Sequence, residues 1–277
     1  MQINQNSEIL LGTNFGTQVA DYEKGRVTSG DELLNYVSQK IKELNPSSLL
    51  EQIPVVDLGC GTGKSTEALY NKGLQNIWGL DPDLKMLATA RGKASKTNLV
   101  SQINYFEGAV SDIQSIFQNQ KFKVVTAFTA FHWFCTIEEV NAIKTIMATN
   151  SIFIVATKSD RTSYSPAQMK FFKMLGEIRG SPLPNPFKNF YPAKVLQKCG
   201  FEVDVQYFPK ETMYNIETLK ARARSFGGWC NLTEEQKSIA ELKLDEMVQM
   251  LFKEEGDKDG LYHETSEEMR VMGYLKS

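Results

Sequence analysis

Two hydrophobic periodicities alternate along residues 30–157 of the chain. Short apolar runs bounded by polar residues or glycine are typical of strands buried on both faces, whereas apolar residues three and four positions apart predict helices. The runs that predict strands are IPVVDL (53–58), NIWGL (76–80), INYF (103–106), KVVTAF (123–128) and SIFIVAT (151–157). Five strands separated by helical segments predict right-handed βαβ units. The region is therefore expected to form a parallel sheet with helices on both faces and a ligand beyond the carboxyl ends of its strands.

Local signals mark the ends of several predicted helices. Pro46 is expected to end the first long helix, and Asn150 tolerates the left-handed backbone of a turn before the fifth strand. Capping boxes, in which Ser or Thr is followed three positions later by Glu or Gln, predict helix starts. They stand at Ser29, Thr136, Ser165 and Thr233.

The C-terminal part follows a different pattern. FEVDVQYF (201–208) alternates as a half-exposed strand does, and RVMGYLK (270–276) is predicted to be an edge strand. Residues 160–200 and 209–258 are predicted to be helical additions that cover the mouth of the sheet. The expected organisation is an N-terminal arm over residues 1–28, a ligand-binding core over 29–160, and the last strands with helical cap insertions over 161–277.

Composition narrows the class of protein. The 277 residues carry a formal net charge of −2, so we expect neither a nucleic-acid partner nor an anionic membrane. The four cysteines lie far apart and only two histidines are present, so we expect no metal site. Reduced thiols, and a start (MQINQNSEILLG) without a signal-peptide pattern, predict a cytoplasmic protein.

The stretch VVDLGCGTGKST (55–66) ends like an ATP-binding phosphate loop, yet Leu58 occupies the position of that motif's first glycine. The spacing of a dinucleotide fingerprint also fails, because the third glycine comes one residue early. Asp57 at the strand end would repel a polyphosphate and attract an ammonium or a sulfonium. Glycines allow close backbone approach, and a helix N-terminus receives a carboxylate. The predicted ligand is therefore a zwitterion with an additional cation. The loop residues are Gly59, Cys60, Gly61 and Gly63.

VVDLGCGTG resembles the first motif of class I S-adenosylmethionine-dependent methyltransferases. The resemblance covers about residues 15–160. It implies an α/β fold with a doubly wound, Rossmann-like, mostly parallel seven-stranded sheet, an antiparallel edge strand and a helical cap. It also implies S-adenosylmethionine as cofactor. The alternatives are a glycine-rich turn without a ligand, a non-catalytic module that binds S-adenosylmethionine, and a phosphate-loop-like nucleotide-binding protein.

Two further stretches extend the resemblance. WGLDPDLKML places Asp81 at the end of the second strand, eighteen residues after Gly63, where an acid accepts bonds from ribose hydroxyls. Asp81 before Pro82 is also a good helix cap. The resemblance implies that the chain borders the adenine at Asp83, Leu84 and Met86. YFEGAVSDI resembles the family's third motif, which implies adenine-edge contacts from Gly108, Ala109, Val110 and Asp112.

The aromatic stretch AFTAFHWFCTIEE (127–139) resembles the AFHWF signature of the type 11 subgroup, which includes relatives of trans-aconitate methyltransferase. Aromatic faces such as that of Phe128 favour a nearby sulfonium. His132 is a candidate general base. The alternative is that His132 and Trp133 begin a helix and pack it against the sheet. The subgroup usually has Gln and Asp where this chain has Thr129 and Cys135.

VADYEKGR (19–26) resembles an N-terminal element of the same subgroup. The resemblance implies that Tyr22 and Arg26 reach the methionine end of the cofactor, with Arg26 clamping its carboxylate. The alternative is an exposed arm, and Val27 replaces the family's usual proline.

The sequence thus predicts a methyltransferase that acts on a small molecule, with an oxygen, either carboxylate or hydroxyl, as acceptor. A carboxylate acceptor needs no general base. An anionic substrate is conceivable because four arginines lie in the predicted cover. SFGGWC (225–230) is either a lid hinge with an aromatic wall or a turn pinned by a buried Trp229. The four arginines are Arg161, Arg179, Arg222 and Arg224.

Overall fold

The structure of the protein is a computed structural model that describes residues 15–96, 103–161, 164–183, 185, 187 and 190–275. Residues 1–12, on which the expectation of no signal peptide rests, lie outside this part. The chain divides into two compact units. One consists of residues 1–27, 160–188 and 209–266, and the other of residues 28–159, 189–208 and 267–277.

Helices and strands alternate along most of the described chain. The α-helices are α1 (Val19–Gly25), α2 (Asp31–Leu44), α3 (Lys64–Asn71), α4 (Leu84–Lys96), α5 (Ile113–Phe117), α6 (Ile137–Ile146), α7 (Pro166–Arg179), α8 (Pro192–Lys198), α9 (Ile216–Arg224), α10 (Gly227–Cys230) and α11 (Glu234–Glu255). The strands are β1 (Val55–Leu58), β2 (Ile77–Asp81), β3 (Ile103–Glu107), β4 (Phe122–Phe128), β5 (Met147–Lys158), β6 (Glu202–Tyr214) and β7 (Tyr262–Leu275). No described helix has the length and apolar character needed to cross a membrane.

The seven strands form one sheet in the order β3-β2-β1-β4-β5-β7-β6. The β1–β2, β2–β3, β1–β4 and β4–β5 pairs are parallel, whereas β5 and β7 are antiparallel. The predicted α/β fold with a mostly parallel seven-stranded sheet is confirmed. Since the chain runs from β1 to β2 on one side and places β4 on the other, the crevice beyond the ends of β1 and β4 is the topological switch point.

The sheet core is apolar on both faces, as the short hydrophobic runs predicted. All four residues of β1 are buried. One face packs against a cluster that includes Phe122, Phe131 and Phe153, and the other against a cluster that includes Leu33. The first helix of this unit, α2, buries Leu33, Leu34, Val37 and Ile41 and ends before Pro46, as expected.

The prediction that the last strand lies at the sheet edge is wrong. β7 lies between β5 and β6, and residues 268–273 are all buried. This strand begins its buried part with charged residues, and Arg270 is 0% exposed although arginine is seldom fully buried. Its guanidinium donates to Asp204 Oδ2 at 2.5 Å and lies 4.8 Å from the centre of the Tyr36 ring. A paired and stacked arginine can be buried, and its strand can then be central.

Most of the predicted helix starts are confirmed. The side chains of Thr136, Ser165 and Thr233 each cap a helix. The predicted cap at Ser29 is wrong: α2 begins after Gly30, and no side chain caps it. Instead Gly30 N donates to Glu268 Oε2 at 2.9 Å, a partner that is distant in sequence. Asn150 adopts the expected left-handed backbone, with a φ of 54°.

The other compact unit has its own helical core. α7, α9, α10 and α11 contribute to a cluster that includes Phe171, Leu175 and Leu244. α1 packs against α9 so closely that a Cβ on Gly25 would lie 2.0 Å from Arg222 N. Only glycine allows two helix backbones to approach to this distance.

Candidate functional site

The glycine loop between β1 and α3 is built from left-handed backbone. Gly59, Gly61 and Gly63 have φ values of 68°, 54° and 80°. The loop is anchored to the neighbouring strand, because Gly59 N and Cys60 N both donate to Leu80 O, at 2.8 and 3.1 Å. Glycine is required at these positions because a side chain is disfavoured in this region of φ. The loop therefore presents backbone rather than side chains at the switch point.

Asp57 serves the fold at the base of this loop. The residue is 1% exposed, and its two carboxylate oxygens accept bonds from Thr126 Oγ1 at 2.7 Å and from Thr66 Oγ1 at 2.8 Å. It thereby ties β1 to β4 and to the first turn of α3. Burial raises the pKa of Asp57 to about 6, although the two hydroxyl bonds lower it. Asp57, which was predicted to attract a cationic ligand, is therefore buried inside the protein.

Asp81 joins the end of β2 to the glycine loop. Its Oδ2 accepts from Gly61 N at 2.8 Å, and its Oδ1 accepts from Asp83 N at 2.9 Å. Burial raises the pKa of this carboxyl to about 6, despite these two backbone bonds. Asp81 was also predicted to cap the next helix, but that role belongs to Asp83, whose Oδ1 accepts from Lys85 N and Met86 N at 2.9 and 3.2 Å.

The segments predicted to border the adenine lie beside Asp81. Gly108 N donates to Asp81 O at 3.2 Å, which holds the end of β3 against the end of β2. Asp112 Oδ2 accepts from Ala109 N at 3.1 Å, a local bond within its own turn. The side chain of Val110 is buried in a core cluster and that of Met86 is also buried, whereas Pro82 and Leu84 are exposed. Whether these residues contact the cofactor stays a prediction.

The aromatic segment after β4 is divided between core and surface. Phe128 and Phe131 are buried in opposite core clusters. His132 is half-buried, with its ring 4.6 Å from that of Trp133 and 6.1 Å from that of Phe190. These contacts agree with the alternative in which the aromatic pair packs a turn on the sheet. A role of His132 as general base stays a prediction.

Tyr22 and Arg26 belong to the unit that contains α1, and they contact each other there. The Arg26 guanidinium lies 5.7 Å from the centre of the Tyr22 ring and 4.3 Å from that of Phe226. Its Nε donates to Ser225 Oγ at 2.8 Å, and Nη2 donates to Ser225 O at 3.1 Å. Burial lowers the pKa of Arg26, and the charge of Arg222 lowers it further. Their predicted contact with the cofactor stays a prediction.

Two of the arginines considered for an anionic substrate already pair with acids. Arg222 is bonded to Glu264, and Arg224 is bonded to Glu241 and lies 3.4 Å from Asp21 Oδ1. Trp229 is 2% exposed and stacks on Phe171, so it pins a turn and is not an exposed lid wall. No group of three or more metal-binding side chains occurs in the described ranges.

Sequence reasoning missed the two threonines that hold Asp57. Thr126 is the one polar residue within VVTAF (124–128), and Thr66 follows the last loop glycine by three positions. A polar residue in a run that is buried on both faces requires a partner, because an unsatisfied buried hydroxyl is costly. This signal was available, but the identity of the partner follows only from the pairing of β1 with β4.

An open α/β sheet with a glycine loop and an acid at its switch point is an arrangement that binds a cofactor with a ribose. The family model of the methyltransferase domain matches residues 55–149. The chain is also 24% identical to an uncharacterized methyltransferase of Schizosaccharomyces pombe over 243 residues, which are 87% of this chain and 90% of that protein.

Two other similarities cover different shares of the chain. The chain is 38% identical to a trans-aconitate 2-methyltransferase of Rhizobium leguminosarum over 73 residues. These residues are 24% of this chain and 28% of that enzyme. The solved structure of a putative methyltransferase from Bacillus halodurans matches with a TM-score of 0.52 and 19% identity, over 86% of this chain and 100% of the other. The chain is an S-adenosylmethionine-dependent methyltransferase, and S-adenosylmethionine is its cofactor.

The residues at the switch point suit this cofactor. Thr62, in the middle of the loop, is 1% exposed, and its Oγ1 has no hydrogen-bond partner among the described residues. A buried orphan hydroxyl inside a glycine loop is expected where a bound ligand supplies the missing partner. The Asp81 carboxylate can accept bonds from both hydroxyls of a ribose.

Proposed function

We propose that this methyltransferase transfers a methyl group from its cofactor to an oxygen of a small molecule, preferably a carboxylate, and that it resembles the trans-aconitate methyltransferase subgroup in function. The similarity to the Rhizobium enzyme supports this proposal, because trans-aconitate is a carboxylic acid. The AFHWF segment, retained at residues 130–134, supports the same subgroup.

The proposed binding mode puts the cofactor at the glycine loop. Asp81 would hold the ribose, and the N-terminus of α3 would face an anionic group of the cofactor. When bound, S-adenosylmethionine supplies a methyl group on a positively charged sulphur. The single observation that carries this binding mode is the Asp81–Gly61 bond, which holds the acid beside the glycine loop.

The chain contributes mainly by positioning the two reactants. An in-line displacement gains most from holding the acceptor oxygen at the correct distance and angle. A carboxylate is already ionised at neutral pH, so its methylation needs no proton acceptor. A hydroxyl acceptor would need a general base, and His132 is the candidate for that role.

A labelling experiment tests the acceptor class. The protein is incubated with methyl-labelled S-adenosylmethionine and a panel of carboxylic acids that includes trans-aconitate. We expect a labelled product that releases labelled methanol in mild alkali, since methyl esters hydrolyse there and methyl ethers and methylamines do not. His132→Asn should retain most of this activity, whereas a base-dependent reaction would slow by about 10²-fold or more. Label that is stable to alkali would contradict a carboxylate acceptor.

Cofactor affinity should depend on pH through Asp81. Ribose hydroxyls donate best to an ionised carboxylate, and the pKa of Asp81 in the free protein is about 6. Affinity should therefore be constant above pH 7 and fall by about tenfold on acidification to pH 5. Calorimetric titration with S-adenosylhomocysteine measures this change. In Asp81→Asn the same titration should show weaker binding with little pH dependence, and an unchanged pH profile would assign the titration to another group.

A further inference from the structure

The helix α11 carries apolar side chains on two opposite sides. Leu244 and Val248, on its inner side, belong to the core cluster of the helical unit. Ile239, Leu242 and Met250 lie on the other side and are 46%, 69% and 60% exposed. Since successive residues of an α-helix are about 100° apart, these three lie within an arc of about 80°. A surface helix normally has a polar outer side. These three residues, which we call the outer stripe, are therefore an apolar surface on which a partner can pack.

Charged residues lie at both ends and beside the middle of the outer stripe. Glu235 and Lys253 are eighteen residues apart, about five helical turns, so they lie on one line at its two ends. Lys243 and Glu246 lie beside its middle. All four residues are exposed, and none of their side chains forms a hydrogen bond or an ion pair with another of the described residues. The line thus begins with an acid and ends with a base.

An antiparallel second copy of α11 matches these charges. If a twofold axis passes at the level of Leu244, midway between Glu235 and Lys253, each of these two residues faces the opposite charge in the other copy. Lys243 likewise lies close to Glu246 of the other copy. A parallel copy would instead place acid against acid and base against base at the two ends, which is unfavourable. Charge complementarity therefore selects the antiparallel arrangement.

The apolar residues of the outer stripe fit the same arrangement. Leu242 of one copy lies within about 6 Å, measured along the axis, of Leu242 of the other, and Ile239 lies almost level with Met250. We propose that the protein forms a twofold, antiparallel dimer with a second copy of itself through the outer stripe of α11. An isologous interface requires a surface that is complementary to itself, and the order acid, apolar, base meets this requirement. The inference rests neither on the cofactor nor on the acceptor class.

Sedimentation velocity over a concentration series tests the dimer. One helix from each copy makes an interface at the small end of the range, so we expect a reversible equilibrium between monomer and dimer at micromolar concentrations. Leu242→Glu should weaken self-association by about 30-fold or more, because the central apolar contact is lost and two charges are added.

Met213→Glu is the matched control for this substitution. Met213 is an apolar residue of β6 that is 60% exposed and lies outside α11. This variant should self-associate as the parent does, and both variants should keep the parent's melting temperature at a concentration where the parent is monomeric. A parent that stays monomeric at every concentration, or equal behaviour of the two variants, would overturn the proposal.

Charge reversal tests the orientation of the two helices. Glu235→Lys and Lys253→Glu should each self-associate about tenfold more weakly than the parent in low salt, because each brings like charges together at both ends of the dimer. An equimolar mixture of the two variants should recover the parent's affinity, since every end then pairs an acid with a base. Lys258→Glu, in the turn after α11, is the control and should associate as the parent does. A mixture as weak as its two components would refute the antiparallel dimer.

Discussion

Replacing Asp81 by alanine should weaken binding of S-adenosylhomocysteine by about two orders of magnitude. The substitution removes the proposed acceptor of two ribose hydroxyl bonds, and bonds to a charged group contribute about 1.5–3 kcal/mol each. It also leaves Gly61 N without the carboxylate to which it donates at 2.8 Å, so the glycine loop loses its tie to β2. Calorimetric titration of the purified variant measures the dissociation constant directly.

The matched control for the lost charge is Asp31→Ala. Asp31 is an exposed acid of α2 that bonds to Lys72, and its removal changes the net charge equally. This control should bind the ligand as the parent does. If Asp81→Ala is folded and binds with full affinity, the ribose assignment is wrong and Asp81 only shapes the turn that follows β2.

Replacing Gly25 by alanine should destabilise the unit that contains α1 and α9 by about 3 kcal/mol or more. The added Cβ would lie 2.0 Å from Arg222 N and 2.5 Å from Ala221 C. These are backbone atoms, so no side chain can rotate to relieve the overlap, and the two helices must separate. Chemical denaturation measures the loss in the free energy of unfolding. Tryptophan fluorescence reports the transition, and Trp229, one of the three tryptophans, is buried in this unit.

Gly92→Ala is the control for the same chemical change. Gly92 lies in α4, and a Cβ there would meet no atom within 4 Å. This variant should be more stable than the parent by up to about 1 kcal/mol, because alanine has the higher helix propensity. If both variants retained the parent's stability, the close packing of α1 on α9 would be incorrect.

Local patterns in the sequence were sufficient for much of the sheet and its loop. The apolar runs predicted β1 to β5, and the parallel arrangement placed the glycine loop and Asp81 at one edge. Both follow from short-range periodicity and from the way βαβ units connect. The failure of the phosphate-loop spacing at Leu58 also argued, without a structure, against a nucleoside triphosphate as the ligand.

Contacts between distant parts of the chain could not be predicted in this way. Nothing near Asp57 in the sequence indicates that Thr126 would occupy one of its oxygens, because that bond depends on strand pairing. The interior position of β7 could not be predicted for a similar reason: the burial of Arg270 depends on Asp204 and Tyr36, which lie far away in sequence. The left-handed backbone of Thr129, whose φ is 55°, could not be predicted either, since a threonine gives no local signal for it.

The position of β7 between β5 and β6 constrains the order in which the sheet can form during synthesis. Strands β1 to β5 pair with one another and can associate once they have emerged from the ribosome. β6 follows them along the chain but borders only β7 in the sheet, so it must wait for a partner that has not yet been made. Until then the outer edge of β5 is open, and a nascent chain is exposed to strand addition by its neighbours.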